Sequence, residues 1–341
     1  MVEAFIADVE RHGVTVSATQ LERWRQRAWL PPTAQWRDPA SRHLRTDLVL
    51  RAAWLAMASQ AGRSISWLGW TFWATDATPR TAQLLRTDLL ATLHRPLVKA
   101  GITHVPQGDS DADHNARQGA AARLLEKRRY SRHDVDGMLR SAAAAAGVDL
   151  PEAAPLALRH LFQRDLIELG AQLLIGGTYD VGFDALMDAW EAGLARPSTA
   201  VNGIRKAHLK AELEGRNPIG QSPMARGLNS LSALLGHAHD QDLCQAVSRC
   251  AVASGLLWEL IPRTDTHPEI LHRLMEHCMW DQWARLGGLH ARDAGILGEA
   301  AIALSTVQYL TLPGWARGLE DMLALMEELI HTPSEARRAH Q

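Results

Sequence analysis

The sequence predicts an all-α protein, and three observations carry that expectation. Apolar residues recur at three- and four-residue spacing along most of the chain, the period of a helix with one buried face. β-Branched residues are thin, and no alternating run of Val, Ile, Thr or Tyr is long enough for a sheet. Gly, Pro, Ser and Asp interrupt the pattern at helix-length intervals. With 46% hydrophobic and 22% charged residues in 341, the chain can bury a core, which excludes the disordered and collagen-like classes.

Taken in order, the first helix is expected over Val2 to Arg11, with Phe5, Ile6 and Val9 as its apolar face. Gly13 can supply a tight turn, and Ser17 is placed to cap a second helix over Ala18 to Ala28 that carries Leu21 and Trp24 inward. Pro31-Pro32 ends it. Helices follow over Asp47 to Ala61, Ile65 to Ala74 and Arg80 to Arg95, the last expected to halt at Pro96. The stretch 104–115 is rich in turn formers and lacks an apolar period, so it reads as a linker or loop. Beyond it the periodicity predicts helices over Ala116 to Arg129, His133 to Ala146, Pro155 to Ile175, Phe183 to Leu194, Ala200 to Glu214, Met224 to His237, Asp242 to Leu260, Pro268 to Leu286, Ala291 to Leu310 and Trp315 to His331. In the last of these Trp315, Leu319, Met322, Met326 and Leu329 share one stripe opposite Glu320, Glu327 and Glu328. No fixed-period repeat is present.

The net charge of −2 points to no class of partner by itself. Lysine is rare and arginine abundant throughout, so arginine as such carries no functional argument; position does. Arg23, Arg25, Arg27, Arg37, Arg42 and Arg45 crowd into 23 to 45 with one acid, Asp38. Seven of the twelve Trp precede residue 75, which sets the first quarter apart. Among them Trp67, Trp70 and Trp73, spaced by three, read as core packing rather than as a platform for bases. Three cysteines, Cys244, Cys250 and Cys278, suit reduced thiols and exclude a disulfide scaffold. No apolar stretch is long enough to span a membrane, and Glu3, Asp8, Glu10 and Arg11 occupy the place of a leader's apolar run; the expected compartment is the cytoplasm.

A helix-turn-helix requires a short helix, a tight turn and a second helix with a basic outer face that lies in the major groove. Residues 2 to 29 meet that description, leaving Thr19, Gln20, Arg23, Arg25 and Arg27 on the outer side; Arg37, Arg42 and Arg45 follow where a wing would sit. This order of parts resembles the winged-helix DNA-binding domain of the MerR family over roughly residues 5 to 75. The resemblance rests on Val16-Ser17, Leu21, Arg23-Trp24 and Leu30-Pro31-Pro32, then Arg42-His43-Leu44-Arg45-Thr46-Asp47, and finally Gly62-Arg63-Ser64-Ile65 after the next helix. The chain departs from the family pattern in having Arg23 for one of two tyrosines, Ala28 for a Gly and Leu44 for a wing aromatic. The resemblance implies that Arg23 and Trp24 lie against backbone or base edges, and that Arg42 grips phosphate. Thr19 and Gln20 are then best placed to face bases, Gln being able to pair bidentately with adenine.

Other motifs fail on spacing. Asp109 to Asp113 begins like a calcium loop, but His114 and Ala120 hold the positions of its Gly and Glu. His237-Ala238-His239-Asp240 with Asp242 lacks the strand of a metallohydrolase, and His272 and His277 fall on different helix faces. Gly176-Gly177-Thr178 lacks the Lys of a phosphate loop, and no nucleophile signature occurs. The basic run Lys127 to His133 reads as a solvated helix end. No metal, cofactor or catalytic residue is expected.

The sequence thus describes a winged helix-turn-helix followed by a large helical bundle or array. Its expected divisions are a 1–76 head, an 80–100 dimerisation helix with Leu84, Leu85, Leu89 and Leu93 as contact, a 104–115 linker and a 116–341 helical domain without an assigned role. The expected function is a sequence-specific transcriptional regulator that binds double-stranded DNA as a homodimer and communicates with RNA polymerase or an effector. A helical protein-interaction module with a winged helix that does not bind DNA is the alternative.

Overall fold

The computed structural model describes residues 1–59, 65–127, 164–192, 199–217, 220, 222–264, 267–277, 279, 296–312 and 314–331. The protein is all-α, with fourteen α-helices among the described residues and one isolated antiparallel bridge, Arg37 to Leu44. The helices are α1 Val2–Glu10, α2 Ala18–Gln26, α3 Thr46–Ala58, α4 Ser66–Asp76, α5 Pro79–Lys99, α6 Asp111–Lys127 and α7 Arg164–Val181. They continue as α8 Phe183–Ala192, α9 Thr199–Leu213, α10 Gly227–His237, α11 Asp240–Thr264, α12 Pro268–Glu276, α13 Ile296–Thr311 and α14 Trp315–His331. The expected helix over His133 to Ala146, the start of the one from Pro155, the end of the one to Leu286, and Cys278 lie outside the described residues, as does the basic run beyond Lys127.

The chain divides into two compact units, one of Met1–Thr92 with Leu235–Gln341 and the other of Leu93–Leu234. In the first unit α4 buries Leu68, Gly69, Trp70, Phe72, Trp73 and Ala74, so nearly its whole circumference is apolar and needs cover on every side. That cover comes from α11 and α13 and from the Trp29 indole, which lies against Gly69. The division therefore falls inside α5 rather than at 104–115, and residues 1–76 share a core with the C-terminal helices. α14 lays Trp315, Leu319, Met322, Met326 and Leu329 into the same core against α11. Cys250, on α11, is fully buried and its thiol is pushed up by burial, which makes it an apolar packing group.

The leucines expected to join two subunits are used inside the chain: Leu85 and Leu89 have no exposed surface and Leu93 is buried, with only Leu84 partly open. A dimer through that stripe is thus excluded by burial. α5 also passes through Pro96 to Lys99 instead of stopping at Arg95. A proline deletes one amide donor, but Leu93 and Leu97 on either side of it are buried, and the amides of Ala100 and Ile102 close the end on the carbonyls of Pro96 and Leu97 at 3.0 and 2.9 Å. Packing of the last turn outweighs the lost bond.

In the second unit, α6 packs on α7 and α7 on α8. The last five residues of the expected 104–115 linker are helix, because Ser110 caps α6: its hydroxyl accepts from the Asp113 amide at 3.2 Å and donates to the Asp113 carboxylate at 2.6 Å. The acidic run thus begins a helix, where negative charge meets free amide groups. Buried Arg117 ties down the preceding loop, donating to the carbonyls of Pro106 and Gly108, and holds the buried Asp180 carboxylate of α7 at 2.7 Å. α7 breaks at Gly177 (φ 77°), where the Thr178 amide bonds to Met224 O and a Cβ would sit 2.1 Å from that oxygen. Only glycine fits there, so the Gly pair is a packing device.

Candidate nucleic-acid interface

The interface begins with what fixes α2. Phe5 and Val9 bury one face of α1, and Gly13 turns the chain at φ 77°. Ser17 accepts from the Gln20 amide at 3.2 Å while the Gln20 side-chain oxygen accepts from the Ser17 amide at 2.9 Å, a reciprocal capping box. Leu21 and Trp24 then point into the core, each about 1% exposed. At the other end Ala28 stands in the left-handed region at φ 54°, a conformation that favours glycine. It is held there by the Trp73 indole, which donates to the Ala28 carbonyl at 3.0 Å.

After a 3-10 turn at Thr33–Gln35 the chain makes a hairpin-shaped loop over 36–45. Buried Trp36 anchors its base, its ring 4.2 Å from Phe5 and its indole N–H on the Pro31 carbonyl at 2.9 Å. The Arg45 amide returns to the Trp36 carbonyl and the Asp38 amide to the His43 carbonyl, both at 2.9 Å. At the tip the Asp38 carboxylate accepts from the amides of Ser41 and Ala40, which hold it below the ordinary carboxylate range. Arg42 sits next to this turn at φ 60°. Across the base of the same segment, Arg51 of α3 clamps Asp76 of α4 at 2.8 Å and lies over the Phe72 ring. The anchoring roles of Trp36 and Arg51 depend on distant partners and have no local sequence signal; the Asx turn at Asp38-Pro39 does have one.

The nine residues expected at DNA fall into three groups. Thr19 and Arg23 of α2, Arg27 at its C-cap, and Arg37 and Arg42 of the loop are exposed, and no acid pairs with any of these four arginines among the described residues. Arg27 lies 4.8 Å over the Trp29 ring, and Arg37 donates to the Arg42 carbonyl, which braces the loop. Arg25, Arg45 and Gln20 are already engaged. Arg25 makes a bidentate pair with Glu22, and Arg45 pairs with Asp47 at 2.7 Å, which raises the guanidinium's affinity for its proton. Gln20 spends its carboxamide oxygen on the cap, so it lacks the free edge that bidentate adenine pairing needs. Trp24 is the clear correction: it is core, and no backbone or base can reach it.

The rejected metal motifs have structural uses. The run at His237 to Asp242 joins α10 to α11, and Arg86 of α5 grips it through the carbonyls of Leu235 and Ala238 and the carboxylate of Asp240, at 2.9, 2.5 and 2.9 Å. Among the described residues no three His, Cys, Asp or Glu side chains converge as metal ligands, and no helix is long and apolar enough to cross a membrane. Comparison with protein-family models, curated proteins and solved structures found no match to this chain.

Proposed function

We propose that α2 and the 36–45 loop dock on double-stranded DNA, α2 in the major groove and the loop along the adjacent backbone, so that the protein acts as a MerR-like DNA-binding regulator. The observation that carries this reading is the placement of Arg23, Arg27, Arg37 and Arg42: four exposed cations without acid partners among the described residues, on two elements whose inner sides are pinned by Leu21, Trp24 and Trp36. Preorganised cations lose little freedom on meeting phosphate, and each one neutralised releases condensed counterions. Thr19 on the same helix can reach a base edge.

Selection of bound fragments from random duplex DNA, followed by affinity measurement at two salt concentrations, tests the proposal. Four phosphate contacts predict a log-log salt slope of about −3.6, a loss of roughly 100-fold between 50 and 200 mM salt. The neutralisation of Arg25 by Glu22 and of Arg45 by Asp47 favours the second reading, a winged helix that binds protein. That reading predicts no enriched sequence and no salt-dependent binding to duplex DNA.

A further inference from the structure

The cations Arg23 and Arg27 are joined to Arg37 and Arg42 by Ala28 to Pro32, a connection with no helix of its own. An irregular stretch samples many paths unless its backbone is tied. Here the carbonyls of Ala28, Trp29 and Pro31 each accept from a side chain: the Trp73 indole of α4 at 3.0 Å, the Arg51 guanidinium of α3 at 3.4 Å and the Trp36 indole at 2.9 Å. The cations rest on the same ties. Arg27 lies over the Trp29 ring, that ring covers Gly69 of α4, and Trp36 directly precedes Arg37.

We propose that Trp73, helped by Arg51, is a positioning residue for DNA binding: it fixes the path of this connection, and so the spacing at which the two cation pairs meet one duplex. The inference rests on the DNA reading above and adds to it a residue that touches no DNA, since Trp73 is buried at 6% exposure. Ala28 is where the tie acts. Its amide bonds to the Arg25 carbonyl at 2.9 Å, and at φ 54° it stands where a Cβ is disfavoured. The indole N–H offsets that preference. Without it Ala28 relaxes toward negative φ, and the chain beyond it, with Trp36 and the 36–45 loop, leaves α2 in another direction.

Spacing decides how many cations a duplex can use at once. When it is fixed, the first pair to touch phosphate presents the second at high effective concentration, and all four contribute to a salt slope of about −3.6. When it is lost, the pairs bind one at a time, and the slope falls to about −1.8, a loss of about 12-fold between 50 and 200 mM salt in place of roughly 100-fold. A purely structural defect does not change the slope. It lowers the folded fraction, and with it the apparent affinity, by the same factor at each salt concentration.

Duplex affinity of the full chain across that salt range, with folding followed by circular dichroism, tests this. Trp73→Phe keeps a ring in the core and deletes the donor; it is expected to bind at least tenfold more weakly at the low-salt end, with a slope near about −1.8. Ala28→Gly added to it is expected to return the slope toward the parent's, because glycine holds a positive φ without help. If Trp73→Phe does not fold, Arg51→Lys, which frees the Trp29 carbonyl and leaves the aromatic core filled, is expected to flatten the slope in its place. A folded Trp73→Phe with the parent's slope overturns the proposal whatever its affinity. So does a flattened slope that Ala28→Gly leaves flat, or a parent slope in Arg51→Lys where Trp73→Phe is unfolded. In each of these cases a parent slope near about −3.6 leaves the DNA reading standing, whereas a parent without salt-dependent binding removes that reading and this one with it.

Discussion

Gly69 lies in the middle of α4, where the indole of Trp29 covers it. A Cβ built at Gly69 would stand 2.0, 2.2 and 2.6 Å from Nε1, Cε2 and Cδ1 of that ring, against the ~3.5–4.0 Å of a normal carbon contact. The overlap is about 1–2 Å at three atoms of one rigid group, and Trp29 is only 2% exposed. Overpacking of a tight core costs about 1–3 kcal/mol, and this case belongs at the upper end. Ala is favoured over Gly in a helix by about 1 kcal/mol, so Gly69→Ala should destabilise by about 2 kcal/mol net. Gly255 provides the control: it is an exposed interior position of α11 in the same unit, and a Cβ there meets nothing within 4 Å. Gly255→Ala should stabilise by up to about 1 kcal/mol. Urea unfolding of both variants of the full chain, followed by circular dichroism, measures the difference. If Gly69→Ala were as stable as the parent, Trp29 would not lie against α4, and the account of how the end of α2 is fixed would fail.

Ala28 is in the left-handed region, so Ala28→Gly should stabilise by about 1 kcal/mol in the same urea assay. Ser17→Ala removes one arm of the capping box and should cost about 1 kcal/mol, read as a lower unfolding midpoint. Arg23→Ala and Arg42→Ala should each flatten the salt slope of DNA binding by about 0.9, with the fold intact by circular dichroism; equal slopes for parent and variants would count against the interface. Burial raises the Asp180 carboxyl, but the hydrogen bonds and charge of Arg117, helped by His114, outweigh it and leave the carboxyl below its ordinary value. A depressed folded value means stability that is present above the unfolded carboxylate value near pH 4 and is lost as pH falls through the folded one. Amide protection factors in α6 and α7, the intrinsic rate divided by the observed rate, should therefore fall below about pH 4 in the parent but not additionally in Asp180→Asn, which should already be weakened by about 3–5 kcal/mol because it leaves Arg117 buried without its charge partner.

The boundaries of α1 and α2 were legible to within two residues, because local chemistry closes them, and the apolar face of α14 was legible from its period. Ser17 caps one, Gly13 follows another, and the stripe from Trp315 to Leu329 fixes the face of the last. The errors share a cause of another kind. Pro96 looked like a stop because its local cost is fixed, and what overrides that cost is the burial of Leu93 and Leu97, which a local rule does not see. The leucines of α5 looked like a subunit contact for the same reason: period alone distinguishes an apolar face from a polar one, but it does not say what covers the face. Asp109 to Asp113 looked like loop because Asp and Ser favour turns and helix starts alike.

The proposed interface divides along the same line. Nine residues were expected at DNA, five on the outer side of α2, three in the wing and Trp24 by resemblance, and Thr19, Arg23 and Arg27, whose outward position follows from the inward position of Leu21, are exposed. Spacing could not tell an available arginine from a neutralised one, because that depends on rotamers that bring Glu22 to Arg25 and Asp47 to Arg45. The nearness of acids in the sequence is nevertheless a usable signal, since acid and base three apart on a helix are neighbours, as Glu22 and Arg25 are. Arg23 and Arg27 escape it because no acid stands three or four residues from either: positions 19, 20, 26 and 27 are Thr, Gln, Gln and Arg, and positions 24, 30 and 31 are Trp, Leu and Pro. An arginine-biased composition therefore does not spread its charge evenly over this head. The acids select which cations stay open, on the same helix and loop that carry the neutralised Arg25 and Arg45.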